Sequence, residues 1–178
     1  MPWTNGPLVL YHGCDDVSAM SIQIPVSPNR HGIHLAYSRP LADFGQGFYT
    51  TTYLHQAKNW ANVRCQRLHS ANPSQPFPLA TVLRFEVDRN LLAQLQALTF
   101  VVDNTDYWDF AQHCRQGRGL HRQTGNYEVV FGPVSLWPQT LVIKDCDQVS
   151  FHTALALSIL PTPTVEAQAP SRADPFLR

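Results

Sequence analysis

Asp43-Phe44-Gly45-Gln46-Gly47-Phe48-Tyr49-Thr50-Thr51-Thr52, with residues 54–68 behind it, is the stretch whose reading decides the fold. It reads as a glycine-hinged turn, a short strand and an amphipathic helix. Gly45 and Gly47 supply backbone angles that a side chain forbids, and they let a ligand approach closely. Phe48-Tyr49-Thr50-Thr51 is aromatic and β-branched, which suits a strand. Thr52 is placed to cap the helix N-terminus. Leu54, Ala57, Ala61, Cys65 and Leu68 then recur at helical spacing. Tyr49 therefore leaves a flexible turn, and Trp60 lies beside the apolar stripe of the helix. Two rings so placed serve either core packing or a clamp on a flat ligand.

Upstream, Leu8-Val9-Leu10-Tyr11-His12 reads as a strand ending at Gly13. Alternation sets Leu8, Leu10 and His12 on one face and Val9 and Tyr11 on the other. His12 thus ends an apolar row, beside a glycine whose backbone is approachable. Residues 18–39 are rich in Pro, Ser, Asn and Gly and read as a long loop, with an extended piece at Ile22-Gln23-Ile24.

Downstream, residues 70–78 form a connector, and residues 79–87 a strand with one buried face. Residues 90–98 suggest a short helix. Another helix is capped by Thr105 or Asp106, with Tyr107, Phe110, Ala111 and Cys114 as its apolar stripe. Residues 127–131 suit a strand or a short helix; residues 140–144 and 147–152 are two strands, and 153–160 a short helix. From Pro161 onward there are more prolines, small residues and no periodicity, so 161–178 reads as a disordered tail behind a single domain of residues 1–160. Strands and helices without βαβ alternation argue an α+β class with a mostly antiparallel sheet.

Of the 178 residues, 44% are hydrophobic and 15% charged, which suits a globular chain with a core of its own. Thirteen basic residues balance thirteen acidic ones, so no global field draws the chain to nucleic acid or membrane, although a local patch stays open. No stretch is long and apolar enough for a membrane-spanning helix. Met1-Pro2-Trp3-Thr4 lacks the basic-then-apolar run of a signal peptide, though export by another route stays open. Cys14, Cys65, Cys114 and Cys146 form no C-x-x-C pair, which fits a reduced cytoplasmic protein. His31 and His34 lie in a loop with no carboxylate near in sequence, so no metal site is expected.

Three separated pieces stand in a telling order: Tyr11-His12-Gly13, then residues 43–51 with Gln56-Ala57-Lys58-Asn59-Trp60-Ala61, then Gln148-Val149-Ser150-Phe151. This order resembles the ADP-ribosyltransferase superfamily of the diphtheria-toxin and poly-ADP-ribose-polymerase type. It is most similar to a bacterial family of small proteins within it that carries these three motifs. The resemblance spans roughly residues 8–160 and implies a split, mostly antiparallel sheet with flanking helices, and NAD as the substrate, without a metal.

It also implies roles. His12 would bond the adenosine-side ribose, and Gly13 would offer its backbone N–H and C=O to the nicotinamide carboxamide. Tyr49 would stack on the nicotinamide ring, with Trp60 as the second clamping ring. Gln148 would face the nicotinamide ribose, where an oxocarbenium-like transition state develops charge. In many relatives that last position is glutamate. At about 4 Å and an effective dielectric of 20, a carboxylate there contributes up to roughly 4 kcal/mol. Glutamine keeps the ribose bond and loses the charge; Glu128 or Asp43 is a candidate replacement.

The activity implied is mono-ADP-ribosylation of a macromolecular acceptor, protein or nucleic acid, as in a toxin or effector. The resemblance leaves room for a neutralising partner protein and for delivery into a target cell. NAD glycohydrolysis and a non-catalytic NAD-binding or interaction module are the alternatives, and Gln148 in place of glutamate is what keeps the last one open.

Overall fold

The computed structural model describes residues 5–27 and 29–169. Its fold is α+β, with two sheets in which all pairings but one are antiparallel. The first sheet has the order β1-β3-β7, from Leu8–Asp15, Ala80–Val87 and Thr164–Ala169. The second has the order β2-β6-β5-β4, from Phe48–Thr50, Val142–Phe151, Val129–Ser135 and Ala97–Thr99, with β4 and β5 parallel.

Alternation along the strands builds the layers. Leu10 and Cys14 of β1, Leu83, Phe85 and Val87 of β3, Phe48 of β2 and Val149 and Phe151 of β6 meet between the sheets as the main core. The opposite face of the first sheet packs on α2 (Leu54–Ala71), whose Ala57, Ala61 and Cys65 stripe meets Tyr11, Ala80 and Val82. The opposite face of the second sheet packs on α4 (Thr105–Arg115), where Tyr107 and Ala111 join Phe44, Phe100 and Val130. The order of layers is therefore helix, sheet, sheet, helix.

Several sequence expectations change here. The loop expected over 18–39 contains α1 (Asp16–Gln23), started by Asp15, whose carboxylate accepts from the Ser18 N–H. Thr52 does not cap α2; Tyr53 holds that position without a side-chain bond, and the Thr52 hydroxyl donates to Asp147 instead. The helix expected over 90–98 is the single turn α3 (Arg89–Leu92) followed by β4. The cap of α4 is Asn104 rather than Thr105 or Asp106. The two strands expected over 140–152 are one, β6. The final short helix is α5 (Ala154–Ser158).

The largest correction concerns the tail. Over Thr164–Ala169 it is strand β7, paired along β3 and ending on the buried Ala169. β7 is an edge strand with mostly exposed side chains, and its short alternation of Val165, Ala167 and Ala169 with polar residues rests on small side chains that give a weak apolar signal. Residues 170–178 of the expected tail lie outside the described residues. Truncation after Leu160 strips β7 from β3 and exposes the edge of a strand rich in Val, Leu and Phe. We expect the melting temperature to fall by more than about 5 °C, since about 1 kcal/mol shifts a domain of this size by ~2–4 °C. An unchanged melting curve would show that β7 contributes no stability.

Candidate functional site at the junction of the sheets

The two sheets meet edge to edge at one point. Tyr11 of β1 and Thr51, just past β2, exchange both backbone bonds, at 2.8 and 2.9 Å. Continued in register, that ladder would next join Gly13 to Tyr49. It stops, and among the described residues no backbone bond links those two. The His12 ring stands in the way: its Nδ1–H donates to the Tyr49 carbonyl at 2.7 Å, while its face lies on Phe48 with centroids 4.6 Å apart. A side chain thus takes the acceptor that a ladder would have used.

The same alternation fixes where Gly13 points. Tyr11 directs its N–H and C=O away from β3, so Gly13, two residues on, does the same, toward the gap between β1 and β2. His12, Gly13 and Tyr49 are all half-buried there. The glycine itself is required by packing: a Cβ on Gly13 would lie 2.0 Å from the Ala57 carbonyl oxygen of α2. Beyond the bridge in the other direction the sheets part around an apolar concavity of about 310 Å³, lined by residues such as Leu8, Thr52, Leu98 and Phe131.

Beside the gap, the Asp43–Tyr49 turn lies on the outer face of the second sheet, fixed from several sides. The Asp43 carboxylate is 2% exposed. It accepts from Arg115 Nε at 2.8 Å, from the Ser135 N–H at 2.8 Å and from the Ser135 hydroxyl, and from Gln148 Nε2 at 2.8 Å. The Tyr49 hydroxyl donates to the Gly45 carbonyl at 2.7 Å and accepts from the Phe44 N–H at 3.0 Å. His121 Nε2–H donates to the Phe44 carbonyl, and His152 Nδ1–H to the Gln46 carbonyl. Gly45 adopts the left-handed region (φ 75°), which glycine tolerates at no steric cost. Gly47 answers a different need, since a Cβ there would lie 2.7 Å from the His152 ring.

Gln148 shares this face with Tyr49. Tyr49 pairs with Ser150 across β2 and β6, and Gln148 is two residues along. This face is covered: Gln148 and Ser150 are both buried under the turn. Both amide hydrogens of Gln148 are committed, to Asp43 and to the Pro133 carbonyl at 2.8 Å. What it offers a ligand is the acceptor Oε1. The structure therefore gathers Tyr49, Gln148 and Asp43 on one sheet face, and brings His12 to Tyr49's backbone from the opposite face. Trp60 sits on the exposed flank of α2, with the Arg67 guanidinium 6.0 Å from its ring. No ring contact joins Trp60 to Tyr49 among the described residues.

Of the two replacement carboxylates, only Asp43 comes near Gln148. Glu128 bonds the Gln96 N–H. It lies four residues along the strand direction from Gly132, the partner of Gln148, or roughly 13 Å at ~3.3 Å per residue. Residues that the sequence did not single out complete the site. Asp147 accepts from Thr51 and Thr52, and the carbonyl of Asp147 accepts from Gln56 Nε2, tying β6 to the start of α2. His31 is spent inside the core, bonded to the Leu157 carbonyl and the Ile33 N–H. Among the described residues no group of three His, Cys, Asp or Glu side chains is arranged to hold a metal ion, and no helix is long and apolar enough to cross a membrane. All four cysteines are free, and burial pushes the Cys65 and Cys114 thiols up to about 12.

A family model described as "Protein of unknown function (DUF3990)" matches residues 8–135. The chain belongs to this family. No curated protein and no solved structure matches it. The DUF3990 match covers the Tyr-His-Gly strand, the glycine turn, α2 and β5, and stops short of β6, so the position of Gln148 rests on the strand register alone.

Three histidines of this DUF3990 chain are held neutral. Burial pushes the His12, His121 and His152 imidazoles down, His152 to about 4, and the backbone carbonyls they donate to oppose the shift only in part. Unfolding returns each ring to its ordinary value of 6.5, so the unfolded chain takes up protons first as pH falls. Stability is therefore full above about 6.5 and drains away as pH drops toward 4. For His152 alone the loss between about pH 7 and about pH 5 is roughly 2 kcal/mol. Urea unfolding at several pH values measures it. His152→Gln, which keeps a donor and an acceptor, flattens the slope; an equally steep slope in that variant would remove His152 as its source.

Proposed function

We propose that the chain binds NAD at the interrupted β1–β2 junction and transfers its ADP-ribosyl group to a macromolecular acceptor. The observation that carries this reading is the stopped ladder. It leaves the Gly13 N–H and C=O, one donor and one acceptor on one edge, directed at a gap beside Tyr49. That pair matches a carboxamide, which accepts through its oxygen and donates through its nitrogen. Support also comes from the resemblance in motif order, whose implied contacts at Gly13, Tyr49 and Gln148 are these same residues, while Trp60 stands apart on the flank of α2.

Each residue then has a task. The Gly13 backbone would hold the nicotinamide amide, and the Tyr49 ring, fixed by its hydroxyl to the Gly45 carbonyl, would border the ring. His12 keeps the gap from zipping shut and stays neutral. Gln148 Oε1 would accept a ribose hydroxyl, its amide oriented by Asp43 and Pro133. Bound NAD supplies an activated glycosidic bond; nicotinamide departs with that bond's electron pair, and the acceptor nucleophile bonds to the ribose carbon and gives up its proton. Water as acceptor would make the same site a glycohydrolase.

A non-catalytic NAD-binding module is the second reading, favoured by one observation: the Asp43 charge behind Gln148 is already matched by Arg115. Gln148 then faces the ligand as a neutral group. Glutamate at 148 would not supply the missing charge cleanly, because it would set a second carboxylate against Asp43 and the Pro133 carbonyl, and one would tend to protonate.

The test is NAD binding, nicotinamide release and labelling of a lysate, with and without nuclease, from NAD labelled on the adenylate. Gln148→Ala is expected to lower release by about 100- to 1,000-fold while NAD affinity falls much less. Thermal unfolding of the variant separates this from misfolding. Release by Gln148→Ala equal to that of the wild type contradicts the assignment. NAD binding without release selects the module reading, and no binding at all removes NAD.

A further inference from the structure

Residues 110–127 contain three arginines and two histidines and not one Asp or Glu, in a chain of zero net charge. Arg115 is consumed by Asp43. The remainder meet at a concavity of about 490 Å³ lined by His113, Arg118, Leu120, His121, Arg122 and Gln123. Neither Arg118 nor Arg122 is ion-paired among the described residues. The two are held differently. Arg122 Nη2 bonds Gln96 Oε1 at 2.7 Å and the Asn126 carbonyl, with the guanidinium 4.3 Å from the Tyr127 ring centroid. Its Nε is buried with no hydrogen-bond partner, so the protein leaves this guanidinium incompletely satisfied. Arg118 is exposed and free to close over whatever Arg122 holds.

His113 Nε2–H donates to the Leu120 carbonyl. His121 uses both nitrogens, on the Phe44 carbonyl and the Tyr127 N–H, and so joins this wall to the Asp43–Tyr49 turn. Two guanidiniums with no ion-pair partner among the described residues suit a planar or tetrahedral oxyanion held by paired N–H bonds. The space exceeds what a bare inorganic ion fills and falls in the range of small organic ligands. Leu120 and Gln123 provide an apolar and an amide wall for the remainder of such a ligand.

We propose that this concavity is a binding site for a phosphate ester, with Arg122 as the fixed contact and Arg118 as the closing one. The proposal goes beyond the NAD reading and stands without it. Two sources share the chemistry: the pyrophosphate of a dinucleotide, or a separate phosphate monoester.

Calorimetric titration of the full chain with 5′-AMP, NAD and glutarate tests it, using wild type, Arg118→Gln and Arg122→Gln. Arg118 is exposed, so its substitution leaves folding intact, which thermal unfolding checks. At least one phosphate ester is expected to bind, and to bind roughly tenfold or more weakly to Arg118→Gln. Weakening for 5′-AMP identifies a monoester; weakening confined to NAD identifies the pyrophosphate. Either result supports the site. Binding of neither ester to wild type overturns it, as does an affinity unchanged in both variants, or glutarate binding as tightly as 5′-AMP. NAD failing to bind while 5′-AMP binds would remove the NAD reading and leave this one.

Discussion

The Asp43 carboxylate is the interaction on which the outer half of the molecule depends. It is buried, and an ionised carboxylate taken out of water needs donors for its lone pairs. Those donors come from three places far apart in sequence: Arg115 at the end of α4, Ser135 at the end of β5 and Gln148 within β6. One residue thereby pins the glycine turn to a helix and two strands. Removing one member of a buried pair of this kind costs about 3–5 kcal/mol, because the partner is left charged and unpaired. The turn in turn fixes Tyr49, whose hydroxyl closes back on Gly45 and Phe44.

A second constraint acts at the junction. The two sheets have every local reason to fuse through β1 and β2, since Tyr11 and Thr51 already pair. They do not fuse, because the ring of His12 occupies the Tyr49 carbonyl. The backbone groups of Gly13 are left directed at the gap, and α2 lies so close above Gly13 that no side chain fits. A single glycine serves both helix packing and an approachable edge. The proposed ligand site is therefore a by-product of how the sheets are kept apart, with no residue held in a strained backbone conformation at the gap itself.

The parts legible from sequence are those with local periodicity. The alternation of β1 and β3, the stripe of α2 and the Tyr107–Cys114 stripe of α4 each declare a buried face within a few residues. The α+β class follows from their order. Two elements escaped because their apolar faces are short and weak. Helix α1 is short and leaves Val17 and Met20 in solvent. Strand β7 is an exposed edge. In the site, both glycines of the turn and the Tyr49 position were readable from residue type. The partners were not: Asp43 meets Arg115 across 72 residues and Gln148 across 105, and no local pattern encodes that. The same distance explains why Glu128 was as plausible a neighbour of Gln148 as Asp43 until the strand register was known.

Amide hydrogen exchange on Asp43→Asn against wild type tests the central role of this carboxylate. Asparagine keeps the size and loses the charge that Arg115 faces. The account predicts faster exchange through the 43–49 turn, α4 and the adjoining ends of β5 and β6, with protection in β1 and β3 retained. Unchanged protection in all four outer segments, or an equal loss in both sheets, would contradict it.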